Sequence, residues 1–214
     1  RSAADAWQRV REALAQLSGA AREARQAQSE ARRTAQTASA PEAERAAARA
    51  HALSAIQAAE RAAETVTEAI RQAQSALSQG PAADALERIA TSVGAIRHAE
   101  LAVARRLSSA AATPEAQNVA AEEAARRLDR AVERAEQTAR TAHLVSAAEE
   151  AELALADVRD VRQELRRALE APSESAADRE RLARRQAAAA AHMNDIAERL
   201  AGVETKRSDF REAA

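Results

Sequence analysis

Apolar residues recur at alternating intervals of three and four along most of the chain. Trp7, Val10, Leu14, Leu17, Ala21 and Ala24 form the first series. Leu53, Ile56, Ala59, Ala63, Val66, Ile70, Ala73 and Leu77 form the second. The third runs through Leu86, Ile89, Val93, Ile96, Val103 and Leu107. The fourth holds Leu128, Val132, Ala135, Ala139, Ala142 and Val145, then Leu155, Val158, Leu165 and Leu169. The fifth holds Leu182, Ala189, Met193, Ile196, Leu200, Val203 and Phe210. Such spacing gathers each series onto one stripe of an α-helix. Sustained over many turns, it predicts near-parallel, coiled-coil-like packing rather than steep crossings.

The four prolines separate these series. Ser39-Ala40-Pro41-Glu42 reads as a stop and restart, and Gln79-Gly80-Pro81 as a terminal glycine before a proline that opens a helix. Thr113 and Ser173 are suited to cap the helices opened by Pro114 and by the acidic turn after Pro172. Helices are therefore expected over 2–38, 41–79, 82–111, 114–170 and 174–212. Gly19 and Gly94 fall inside them, where close helix approach is the expected reason for a glycine. Short connections predict antiparallel neighbours. At 1.5 Å per residue the fourth helix is roughly 85 Å long and the third roughly 45 Å. One such neighbour cannot cover the other, so the fourth is expected to bridge two bundle segments of an elongated rod. No proline or glycine interrupts residues 141–146, which favours one continuous helix there.

Composition narrows the core. Of 214 residues, 66 are alanine, the strongest helix former, and Trp7 and Phe210 are the only aromatics. A core of Ala, Leu, Val and Ile is thin, which favours slender bundles over a globule with a deep pocket. There is no cysteine, and the longest apolar run, the alanines between Gln186 and His192, is far too short to span a bilayer. The chain opens on Arg1 without a signal-peptide pattern, and is expected to be a fragment of a larger protein.

Thirty-two basic and 33 acidic residues leave a net charge of −1, with Lys206 the only lysine. A general nucleic-acid binder usually carries a basic excess, so no nucleic-acid partner is expected. The arginine pairs at 32–33, 105–106, 126–127, 166–167 and 184–185 are spread over the helices among acids. Residues 1–40 nevertheless carry +3 (seven basic, four acidic) and residues 114–171 carry −4 (nine basic, thirteen acidic), an asymmetry able to order neighbouring helices.

Candidate chemistry is sparse. His51, His98, His143 and His192 fall on four different predicted helices without a metal-binding spacing. Glu122, Glu123, Glu149, Glu150 and Glu152 cluster without the Glu-x-x-His partners of a carboxylate metal site, and read as solvated faces with intrahelical ion pairs, Glu122 one turn before Arg126. The glycines form no phosphate loop and no serine sits in a nucleophile elbow. Catalytic, cofactor-binding and metal-binding residues are therefore expected to be none, and the chain is expected not to be an enzyme.

A body of this kind suits a structural spacer or scaffold that meets protein partners, or itself, through helix faces, as a monomer or weak dimer. Trp7 and Leu14, expected to be exposed at one end, offer one such face. The alternatives are a reversible lipid-surface binder, disfavoured because its stripe is mostly alanine, and the stalk of a bacterial signalling protein. Stretches such as Ala43-Glu44-Arg45-Ala46-Ala47-Ala48-Arg49 and Ala120-Ala121-Glu122-Glu123-Ala124-Ala125-Arg126-Arg127 resemble, in composition, the central helical region of the alphaherpesvirus large tegument protein. That resemblance implies a fibrous, spectrin-like spacer in the virion tegument and the host cytoplasm or nucleus.

Overall fold

A computed structural model of the chain describes residues 3–37, 39–77, 80–109, 114–170 and 176–212. They form α1 (Ala3–Gln36), α2 (Glu42–Ala76), α3 (Pro81–Ala95), a π-helical turn (Ile96–Leu101), α4 (Ala102–Ser109), α5 (Pro114–Glu170) and α6 (Ala176–Glu212). The protein is all-α. Pro81 and Pro114 start their helices, and Pro41 stands just before the first residue of α2, because a residue in the first turn needs no N–H partner. Pro81 takes this place in α3, behind Gly80, whose φ of 87° lies in the left-handed region that suits glycine. Thr113 and Ser173 lie outside the described residues.

The chain divides into two compact units, residues 1–143 and 144–214, and α5 contributes to both as one uninterrupted helix. In the first unit, α1, α2, the α3–π–α4 rod and the first half of α5 run up, down, up and down. Ion pairs fix the neighbours: Arg97 with Glu64 and Arg105 with Glu60 join the rod to α2, and Arg22 with Glu136 joins α1 to α5. Each series descends on one helix as it ascends on the other, so neighbours are antiparallel. The core is bulky in its middle, with Leu14, Leu17, Ile56, Leu86, Ile89 and Leu128 fully buried. Near the α1–α2 turn it thins to Ala27, Ala31 and Ala52, with Ala48 and Ala55 packed on them. Small side chains at a contact let helix axes approach more closely.

The second unit is a helical hairpin of the rest of α5 and α6. Ala147, Ala154 and Val161 are buried at seven-residue spacing on α5, and Leu182 and Ile196 are buried on α6 with Ala189 between them half-buried. Arg185 of α6 binds Glu164 of α5 at 2.8 Å.

Several expectations need correction. The third helix is not a regular α-helix: the Ala102 N–H reaches back five residues to the Arg97 carbonyl. The wide turn changes the phase of the buried stripe, which continues through Glu100, Leu101 and Ala104 and leaves Val103 and Leu107 half-buried. Trp7 and Leu14 are not exposed; they are 1% and 0% accessible in the first unit's core. On α5, Leu155 and Val158 face solvent while their neighbours Ala154 and Val161 are buried, so bulk alone misassigned the packed face. The side chains of Leu169, Leu200, Val203 and Phe210 lie outside the described residues.

Gly19 and Gly94 do not mark close approach either. A Cβ added at either position meets nothing within 4 Å. Glycine there costs helix entropy without a packing gain, so Gly19→Ala and Gly94→Ala should each stabilise by about 0.5–1 kcal/mol. Thermal melts should rise by about 2–4 °C per kcal/mol, and a lowered midpoint would contradict the open environment.

Candidate functional site

Glu100 is the most unusual residue of the first unit. It stands in the π turn, on the core side, and is 2% exposed. A buried carboxylate is costly unless its lone pairs are taken by charged donors. Three arginines of α5 supply them. Arg134 Nη1 lies 3.1 Å from Oε1, and Arg127 Nη1 and Arg130 Nε lie 3.4 and 3.7 Å from Oε2. Positions 127, 130 and 134 are spaced three and four apart, so one face of α5 presents all three. Arg127 Nη1 also donates to the Ala99 carbonyl of the wide turn at 3.2 Å.

Glu123 extends the network. It accepts from Arg127 at 2.9 Å and from Arg126 at 3.1 Å, and pairs with Arg130 at 3.4 Å. The Arg127 hydrogen bond, more than that from Arg126, holds its carboxyl below the usual range. Two turns on, Ser92 Oγ and Thr138 Oγ1 meet at 2.7 Å, and Thr138 donates to the Arg134 carbonyl. The seam between the α3–π–α4 rod and α5 is thus polar at two levels. Chemically this is a clamp: every Glu100 oxygen is engaged by a guanidinium, and each guanidinium belongs to the protein.

On the opposite flank of α5, Glu122, Asp129 and Glu136 recur every seven residues and meet Arg32, Arg25 and Arg22 of α1. The charge asymmetry between the chain's first 40 residues and α5 is spent on this seam. Glu122 therefore pairs across helices rather than with Arg126. The arginine pairs are similarly split: Arg105 reaches Glu60 while Arg106 turns to the Ala102 carbonyl, and Arg185 reaches Glu164 while Arg184 binds Glu180. Exposed pairs of this type contribute about 0–1 kcal/mol each, and act mainly on register.

His51, His98, His143 and His192 are all exposed, each on a different element. Glu152 is exposed, and Glu149 and Glu150 are half-buried. Among the described residues no group of three or more His, Asp or Glu could hold a metal, and no helix is long and apolar enough to cross a membrane. Two shallow clefts lie on the described residues. One lies between Ala6, Arg9, Ala69, Gln72 and Ala76, the other between Asp157, Val161, Arg185 and His192.

The clamp was missed in the sequence, though a signal existed. The third apolar series leaps seven residues from Ile96 to Val103, and Glu100 fills the skipped position.

The second feature lies on α5 in the second unit. Leu144, Leu155 and Val158 are 48%, 41% and 36% exposed, and Leu153 is exposed on another face. No family model, curated protein or solved structure matches this chain.

Proposed function

We propose that this chain is a non-catalytic structural segment: the first unit is a stiff four-helix spacer, and the second offers a helix face to a protein partner. The observation that carries the reading is the contrast between the two units. In the first, the bulky residues of the four-helix stripes are buried or half-buried and the charged seams are paired, and Val119 near the start of α5 is the one large apolar side chain left in solvent among the described residues. In the second, large apolar side chains at helical spacing stay in solvent. Contiguous exposed apolar surface is a mark of interaction sites. The tegument setting rests on the compositional resemblance and is part of the same proposal.

A lipid surface is the competing destination for an apolar stripe. The stripe that runs through Leu144, Ala148, Ala151, Leu155, Val158, Arg162 and Leu165 holds two alanines and an arginine, a weak composition for insertion. Flotation with phosphatidylcholine vesicles, with and without anionic lipid, tests the choice. The protein is expected to stay in the aqueous fraction. Recovery with the vesicles, abolished by Leu155→Glu, would overturn the scaffold reading.

A further inference from the structure

We propose that the partner for this face is a second copy of the same chain, bound antiparallel along α5. The inference rests on the scaffold reading and names its occupant. The stripe is Leu144, Ala148, Ala151, Leu155, Val158, Arg162 and Leu165, at intervals of four and three. It borders the buried face of Ala154 and Val161, and Val161 lines a cleft with Ala188 and Ala189 of α6. One rim of the stripe is therefore occupied by α6. The other rim consists of the half-buried Val145 and the exposed Glu152, Arg159 and Arg166, each one residue after a stripe position.

Charge on that rim selects both partner and register. Glu152 and Arg159 are exposed, and neither is engaged with another side chain among the described residues. They lie seven apart with opposite signs. In an antiparallel pair of identical helices the same rim faces itself. The register centred between residues 155 and 156 sets Glu152 of each copy against Arg159 of the other, twice. It also sets Val145 against Arg166. A shift of the rim by seven in one direction brings Arg159 against Arg159; the opposite shift brings Glu152 against Glu152. Only the first register avoids a like-charge contact on the axis. It also stacks Leu155 on Val158 of the second copy and the reverse, and sets Leu165 on the small Ala148. Arg162 then lies opposite Ala151, where a small neighbour leaves room for its stem. A lone polar residue in such a seam fixes register at some cost in affinity.

The test uses the whole chain in sedimentation velocity, from micromolar to millimolar concentration. Wild type is expected to dimerise reversibly. Glu152→Arg sets arginine against arginine at both facing 152–159 positions and Arg159→Glu sets glutamate against glutamate there, so each should weaken the dimer about tenfold or more. The doubly exchanged variant E152R/R159E should dimerise within about threefold of wild type. An equimolar mixture of the two single variants should form a heterodimer tighter than either homodimer. A wild type that stays monomeric at millimolar concentration would overturn the proposal; if it also fails to float with vesicles, the scaffold reading stands and the occupant is a foreign helix. Equal dimerisation of all four proteins would overturn it too, by placing the contact elsewhere.

Discussion

Removing the three guanidiniums around Glu100, in the variant Arg127→Met/Arg130→Met/Arg134→Met, should cost the first unit about 3–5 kcal/mol, the range for breaking a buried ion pair from one side. The physical origin is asymmetry of burial. Glu100 is 2% exposed and has no route to water without distorting the helix, whereas the arginines are roughly a third to a half exposed and can swing out. Stripping the arginines strands the carboxylate. Glu123, also released, is partly exposed and finds water instead. Removing the carboxylate strands nothing, so Glu100→Leu should fall within about 1 kcal/mol of wild type, or above it. It would also complete the stripe that passes through Ile96. Urea melts followed by circular dichroism separate the two results. Equal losses for both variants would mean that Glu100 contributes more than a satisfied charge.

The second large effect is at Trp7. Trp7→Ala should cost about 3–5 kcal/mol, as for other buried aromatic truncations. At its end of the bundle, topology brings Ala73 from α2, Ala82 and Ala85 from α3, and Ala142 from α5, all buried. One large ring fills space beside these small side chains, and truncating it leaves a cavity in the packed end of the bundle. A stability of 5–15 kcal/mol is typical of a domain, so this is a large fraction of it. Trp7→Phe should cost much less, about 1–2 kcal/mol, because the indole N–H is buried without a hydrogen-bond partner among the described residues. Trp7 is the only tryptophan, so its variants must be followed by circular dichroism rather than fluorescence. A loss below about 1 kcal/mol for Trp7→Ala would show that the end of the bundle is frayed rather than packed.

The fold was legible where the sequence contains residues with a single meaning. Proline at 81 and 114 cannot sit in a helix interior, and those helices begin at these residues. The stripe from Trp7 to Ala24 is bulky on one side only, and all six of its residues are buried. Legibility failed where alanine or charge carried the information. Alanine is at home both in a core and in water, so on α5 the packed positions Ala154 and Val161 and the open positions Leu155 and Val158 could not be ranked by bulk. The π turn has no local signature; it sets the carboxylate of Glu100 toward three arginines from another helix, a tertiary arrangement. Trp7 misled for a related reason. It lies in the first turns of a helix, where fraying is the usual expectation, and its burial depends on the other helices that close that end of the bundle.

One contrast along α5 carries the proposed function: in the monomer, the stripe through Leu155 and Val158 is open to water while Leu128 and Val161 are covered. The chain has no cysteine, so single-cysteine variants report one site each. The decisive measurement is the rate of maleimide labelling of L155C, V158C, L128C and V161C in dilute solution. The thiols of L155C and V158C should react at the rate of an exposed thiol, and those of L128C and V161C at least about a hundredfold more slowly, through opening of the fold. A thiol in L155C as protected as that in V161C would contradict the uncovered face, and with it the function built on it.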